Sequence, residues 1–176
     1  MKNKIIQLYF ILFRSGVDYA RYLGVKVGNN CRVYSFKFGT EPWLIEIGNN
    51  VTITSGVVML THDGSTWLIN DQNGRRYLYR RIYIGDNVFI GINSILMPGV
   101  RIESNVIVAA GSVVTKSIPS GKIVGGNPAR IIGEYSDYEK IVSRSYISQR
   151  DLNLSLDYKS RILEVVNSSY KEYLKW

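Results

Sequence analysis

The sequence predicts a mainly β fold, a parallel β-helix wound from six-residue repeats, with a helical segment at each end. Three observations carry this. From Ile84 every sixth residue is aliphatic: Ile84, Ile90, Leu96, Ile102, Val108 and Val114. Four residues after each of these stands a small or branched residue, in turn Val88, Ser94, Val100, Val106, Ser112 and Ile118, with Gly and Asn supplying turn chemistry between them. Outside this region the rhythm changes to apolar residues three and four apart. A lone strand alternates every two residues and a helix repeats near 3.6, so a period of six fits a short strand and a turn, repeated. Coils stacked in this way bury their aliphatic points against the coils above and below.

The elements follow in order. Residues 1–24 form an N-terminal helical segment, with Ile6, Tyr9, Phe10, Phe13, Val17 and Ala20 at helical spacing and Gly24 as the stop. Its apolar run is short, broken by Gln7 and ended by Arg14, which argues against a signal peptide and a membrane span. Packing on the body is the first expectation for it. Because Lys2, Lys4, Arg14 and Arg21 flank the apolar residues, peripheral contact with a membrane surface is the alternative. Residues 25–133 form the β-helix. The beat is more ragged in "VGNNCRVYSFKF" from Val27 and in the stretch from Ile47 through Ile53 to Met59, and it is lost between Phe38 and Ile45. Between Met59 and Ile84, "THDGSTWLINDQNGRRYLYRR" carries no six-residue beat, so a loop at about 61–82 is thrown out of the coil. Loops of that length in compact domains commonly carry function. Residues 134–176 form a C-terminal helical extension, with Tyr138, Ile141, Val142, Ile162, Leu163, Val166, Tyr170, Tyr173 and Leu174 on helix-like faces and Ser155 or Asp157 as a cap.

A chain of 176 residues suits one domain with attached helices. Its single cysteine, Cys31, excludes an internal disulfide and a cysteine zinc cluster within one subunit, and fits a reducing, cytoplasmic setting, which includes the inner face of a membrane. Cys31 itself reads as a small core residue. The formal charge is +8, and residues 134–176 are balanced, so the excess lies in residues 1–133. The basic residues are scattered and no nucleic-acid-binding motif accompanies them, which argues against nucleic acid; a phosphorylated cofactor or an anionic glycan would suit the charge equally well.

The hexads, the loop histidine and "GGNPAR" at residues 125–130 together resemble the hexapeptide-repeat acyltransferases, and among them the maltose, galactoside and polysaccharide O-acetyltransferase branch. The likeness spans roughly residues 25–133. It implies a left-handed winding, although crossovers between parallel strands are usually right-handed. It also implies a homotrimer with active sites at subunit interfaces, acetyl-CoA as acyl donor, and no metal.

His62, the only histidine, opens the loop in "MLTHDG". Imidazole as a class titrates near neutral pH and suits a general base. Alone, such a histidine reads as an ordinary surface or core residue; the resemblance makes it the base that takes the proton from an acceptor hydroxyl. The same resemblance, matched on Phe89, Ile90 and Gly91, makes the Ile92 backbone N–H the oxyanion donor, with Phe89 and Gly91 lining the donor site. It places Ala110 on the pantetheine arm and Thr115, Lys116 and Arg130 at the nucleotide end, where a cation suits phosphate. Lys116 and Arg130 read equally well as solvated charges when taken alone. Asp63 is open between orienting the histidine, meeting the acceptor and making a turn with Gly64. A partner for His62 one coil upstream is open among Tyr34, Ser35 and Glu41. In the loop, Trp67, Asp71 and Arg75 carry the aromatic and polar chemistry that fits a sugar ring, and Arg75 fits an acidic group or a neighbouring subunit equally.

The expected activity is therefore acetyl-CoA-dependent O-acetylation of a sugar hydroxyl in bacterial surface-polysaccharide synthesis, by direct attack. N-acetylation of an amino sugar or xenobiotic is the alternative within enzymes, and a non-catalytic scaffold is the alternative outside them.

Overall fold

The computed structural model describes residues 2–173, with side chains from Ile5 onward. The helical segment expected over residues 1–24 is two helices, α1 (Lys2–Phe13) and α2 (Gly16–Tyr22). Ser15 divides them: its hydroxyl caps Asp18 N–H while the Asp18 carboxylate returns to Ser15 N–H, a capping box that starts a new helix. Gly24, at φ +94°, provides the expected stop. Tyr19 and Ala20 of α2 are buried in the main core.

The solenoid then visits three sheets in rotation. The first coil holds β1 (Lys26–Val27) and β2 (Arg32–Val33), and the second β3 (Ile45–Ile47), β4 (Thr52–Ile53) and β5 (Val58–Met59). A hairpin of β6 (Asn70–Asp71) and β7 (Gly74–Arg75) follows. The third coil holds β8 (Ile82–Ile84), β9 (Val88–Ile90) and β10 (Ile95–Leu96), and the fourth β11 (Arg101–Ile102), β12 (Val106–Val108) and β13 (Val113–Val114). In sheet order β1-β3-β8-β11 forms one face, β2-β4-β9-β12 with β14 (Lys122–Gly125) the second, and β5-β10-β13 the third, all parallel. β15 (Arg130–Glu134) folds back antiparallel on β14 and ends the stack.

The six-residue beat is a set of vertical columns. On the second face Val33, Ile53, Ile90, Val108 and Val124 are register partners in turn, and all are buried. Ile47, Ile84 and Ile102 form a column on the first face, and Met59, Leu96 and Val114 one on the third. The six residues four after each beat, Val88 to Ile118, are buried as well. Each such aliphatic side chain contributes about 1.5–3 kcal/mol by leaving water. One corner is turned by Asn30, Asn50, Asn87 and Asn105, all at φ between 54° and 58°. Their amides form a ladder: Asn30 donates to Asn50, Asn50 to Asn87 and Asn87 to Asn105, at 3.0, 2.7 and 3.2 Å.

Two departures from the beat have a structural cause. Ile84 pairs with Ile102, eighteen residues on, whereas Val27 pairs with Ile47, twenty on. The surplus falls where the beat is lost, around a 3-10 turn at Pro42–Leu44. The second departure, the long loop, is ordered by its own backbone. His62 and Tyr79 form an antiparallel bridge, flanked by Arg80 N–H to Thr61 O at 2.8 Å and Asp63 N–H to Leu78 O at 3.1 Å.

Beyond β15, α3 spans Tyr135–Ser145 and α4 spans Tyr158–Val165. Of the two caps expected, Asp157 is the one used, accepting from Lys159 and Ser160 N–H. The helical face expected to run on through Tyr170 and Tyr173 does not form: α4 stops at Val165, and both tyrosines are exposed in irregular chain. Leu174 lies outside the described residues. No helix among the described residues is long and apolar enough to cross a membrane.

Candidate active site

The irregular first coil and the loop's first residues meet at one cluster. Gly39, at φ +68°, lets the chain pass close over the second coil, where a Cβ would come within 2.9 Å of Met59 O. Glu41, two residues on, is thereby turned back toward the end of β5. Its Oε2 accepts from the buried Thr61 Oγ1 at 2.6 Å and lies 2.9 Å from His62 Nδ1, while Thr40 Oγ1 donates to Oε1 at 2.6 Å. Burial pushes the Glu41 carboxyl up, but the hydrogen bonds from Thr40, Thr61 and His62 and the charge of His62 outweigh it and lower it to about 2. A carboxylate only accepts, so Nδ1 carries the hydrogen that points at Glu41. In the neutral ring Nε2 then keeps its lone pair, the arrangement required of a base.

Around this pair lies a cleft of about 180 Å³, lined by Glu41, His62, Asp63, Thr66, Arg75, Tyr77, Leu78 and Tyr79. Asp63 does not orient the histidine. It caps the 3-10 turn Gly64–Leu68, accepting from Ser65 N–H and Oγ, and those two bonds hold its carboxyl below the ordinary range. Trp67 and Arg75 meet each other: the Arg75 guanidinium carbon sits 4.7 Å from the Trp67 ring centroid and 4.6 Å from that of Tyr77. Asp71 is paired with Arg76 at the hairpin end, and that bond keeps its carboxyl low.

A second cluster lies on the opposite edge of the third sheet. Ile92 and Ala110 each stand three residues before a strand of that sheet, Ile92 before β10 and Ala110 before β13. Gly91 lets these coils approach: a Cβ there would come 2.4 Å from Ala110 N. Gly91 N–H donates to Val108 O and Ile92 O accepts from Gly111 N–H, both at 2.8 Å. The Ile92 N–H makes no backbone hydrogen bond among the described residues. Phe89 is exposed on the outer side of β9. His62 comes three residues after β5, and β5 and β10 run parallel with Met59 opposite Leu96. His62 follows its strand and Ile92 precedes its own, so the two stand at opposite edges of the sheet.

A third cluster follows β13. Thr115 is exposed there, and Lys116 and Arg130 line one hollow of about 400 Å³ with Pro119 and Ile131. The Arg130 Nη1 donates to the neighbouring Ala129 carbonyl at 3.0 Å, which steadies the base of the side chain's fork. No group of three His, Cys, Asp or Glu side chains among the described residues is arranged to hold a metal ion.

A model of bacterial transferase hexapeptide repeats, six in number, matches residues 81–116, the third and fourth coils. CapG of Staphylococcus aureus is 48% identical over 158 residues, which cover 88% of this chain and 89% of CapG. The chain belongs to the hexapeptide-repeat bacterial transferases. The galactoside O-acetyltransferase of Escherichia coli is 36% identical over 100 residues, 57% of this chain and 49% of that enzyme. A solved structure of galactoside acetyltransferase in complex with coenzyme A superposes with a TM-score of 0.59 at 26% identity, covering 84% of both chains.

In this hexapeptide transferase the sequence-predicted residues thus fall into three groups, one around His62, one around Ile92 and one after β13. Ser35 belongs to none. It is 1% exposed and its hydroxyl donates to Val57 O at 2.5 Å, so as a substrate contact it is corrected to a core residue. Of the three upstream partners left open for His62, the one in contact is Glu41. Thr40 and Thr61 were not anticipated; nothing in their spacing marks them, because they act through a coil that breaks the repeat. Cys31 is half-buried against the core and its Sγ donates to Gly48 O at 3.1 Å.

Proposed function

We propose that this transferase moves an acetyl group from acetyl-CoA to a sugar hydroxyl in the building of bacterial surface polysaccharide, with His62 as general base. The observation that carries the reading is the 2.9 Å contact of Glu41 Oε2 with His62 Nδ1, which fixes the tautomer with Nε2 free. The likeness to galactoside O-acetyltransferase, and to its complex with coenzyme A, supports a sugar acceptor and a CoA donor.

In this mechanism His62 Nε2 takes the hydroxyl proton as the acceptor oxygen attacks the thioester carbonyl. The tetrahedral oxyanion accepts from the Ile92 N–H. Collapse breaks the C–S bond, and the proton held by His62 passes to the departing thiolate, so no acyl-enzyme forms. Lys116 and Arg130 hold the nucleotide phosphates and Ala110 lines the pantetheine arm.

Because His62 and Ile92 stand at opposite edges of one sheet, one copy cannot bring both to the same carbonyl. Two copies can, if the edge of one carrying His62 faces the edge of another carrying Ile92. This favours sites shared between subunits, in a closed ring of three left-handed coils.

The test is a panel of saccharide acceptors with acetyl-CoA, following free thiol and locating the new acetyl group by NMR. Transfer to a sugar hydroxyl that is lost in His62→Ala, with the assembled mass unchanged, is expected. Transfer to amines alone, or full turnover by His62→Ala, overturns the reading.

A further inference from the structure

The loop hairpin carries two adjacent arginines with different fates. Arg76 is spent on Asp71. Arg75 lines the cleft that holds His62, and its guanidinium carbon lies over the rings of both Trp67 and Tyr77, 4.7 and 4.6 Å from their centroids. Among the described residues it makes no side-chain hydrogen bond and no ion pair. The two carboxylates of the cleft are both occupied elsewhere, Glu41 by Thr40, Thr61 and His62 and Asp63 by Ser65.

A guanidinium stacked on aromatic rings keeps its in-plane N–H edge open for a partner. That edge matches the two oxygens of a carboxylate or phosphate and is poorly matched to a single hydroxyl. The rings also hold the cation in place, so little side-chain freedom is lost when the edge is used. Arg75 is exposed, so a neutral sugar would leave its charge to water, whereas an anionic one would pair with it.

We infer that the acceptor is anionic, and that Arg75, on its Trp67–Tyr77 platform, holds a carboxylate or phosphate of the same molecule whose hydroxyl meets His62. This rests on the reading of His62 as the acceptor-site base. Arg75 is a specificity-determining residue, distinct from the base.

The experiment uses the full-length protein with three matched acceptors: a methyl hexoside, the corresponding methyl hexuronoside, and a hexose 1-phosphate. The kcat/KM ratio of the better anionic acceptor to the neutral one is expected to be about tenfold or more. In Arg75→Gln that ratio should fall to near one, and Arg75→Lys, which keeps charge but not the planar edge, should recover part of it. Which of the two anionic acceptors leads assigns the group as carboxylate or phosphate. Titration of the same three ligands by calorimetry gives the same comparison without turnover, so a protein inactive on all of them counts against a simple sugar acceptor while the binding ratio still decides this inference. A wild-type ratio at or below one, or a ratio unmoved by Arg75→Gln, overturns the inference. Loss of assembled mass in Arg75→Gln with the ratio unmoved would assign Arg75 to a subunit contact.

Discussion

Glu41 Oε2 stands 2.9 Å from His62 Nδ1, a contact made across a twenty-one-residue separation by the one coil that departs from the repeat. A charge-assisted hydrogen bond of this kind holds the ring and, on the proposed mechanism, favours the imidazolium formed during proton transfer. Glu41→Gln should therefore lower kcat by about 10–100-fold, the equivalent of a charged hydrogen bond. His62→Ala should cost about 10²–10⁴, the worth of general-base catalysis. Steady-state kinetics with acetyl-CoA and a responsive acceptor decide it. A Glu41→Gln enzyme with wild-type kcat would show the contact to be structural only.

The same carboxylate has a signature in stability. Its value of about 2 in the fold lies below the ordinary 4.5, so the folded state binds its proton more weakly than the unfolded chain does. A depressed carboxyl contributes stability that is present in full above the unfolded value and is lost as pH falls through the folded one. The window is thus from about pH 5 down to about pH 2. With the side chain 16% exposed, the contribution near neutrality is on the order of 2–3 kcal/mol. Thermal melts of wild type and Glu41→Gln should differ most above pH 5 and converge toward pH 2. A difference constant from pH 6 to pH 3 would count against the lowered carboxyl.

Gly91 is needed for the approach of two coils beside Ile92. A methyl group there would press on the Ala110 nitrogen at 2.4 Å, and backbone cannot give way as a flexible side chain would. Gly91→Ala should destabilise by about 1–3 kcal/mol, as overpacking does, and should lower kcat by shifting the Ile92 N–H. Denaturant melts read the first effect and turnover the second. Wild-type values in both would show the corner to be looser than its geometry indicates.

The asparagine ladder makes a graded prediction. Asn87 sits at φ 55°, accepts from Asn50 at 2.7 Å and donates to Asn105 at 3.2 Å. Asn87→Gly loses the ladder, about 1 kcal/mol, without backbone strain; Asn87→Ala loses it and adds left-handed strain of about 1–2 kcal/mol. Melting temperatures should fall in the order wild type, Gly, Ala. An alanine variant as stable as the glycine one would remove backbone strain from the account.

The regular coils were legible because one physical demand, an aliphatic point on each face, repeats at a fixed interval: all six residues from Ile84 to Val114 are buried. The N-terminal break was missed because Phe10, Phe13 and Val17 keep a helical rhythm across Ser15, while a local capping box with Asp18 outweighs it. Ser35 was misjudged because a hydroxyl at a corner can turn inward to a carbonyl as well as outward. The position of His62 was legible from its place at the mouth of the loop. Its partner was not: Glu41 lies in the stretch where the beat fails, and periodicity says nothing about a coil that leaves the period. The hairpin was hidden for a related reason. β6 and β7 are two residues each, and what holds the loop is the pairing of residues 61–63 with 78–80 and the stacking of Trp67, Arg75 and Tyr77.

The separation of His62 from Ile92 makes the final prediction. Both border the β5-β10-β13 sheet, His62 after its strand and Ile92 before its own, so the proposed site, which uses both, takes one residue from each of two copies. On the proposed mechanism His62→Ala removes the base from every site, and Gly91→Val, with a branched side chain set against the Ala110 backbone, displaces the oxyanion donor from every site. Each variant alone should be nearly inactive. Mixed under mild denaturation and reassembled, some interfaces unite the intact His62 of one variant with the intact Gly91–Ile92 corner of the other. Activity should return to a sizeable fraction of wild type, and should follow the statistics of random mixing as the ratio of the two is varied. If instead each copy held a complete site, no mixture would exceed the sum of its parts. That result would remove the shared site and, with it, the pairing of His62 with Ile92 in one reaction.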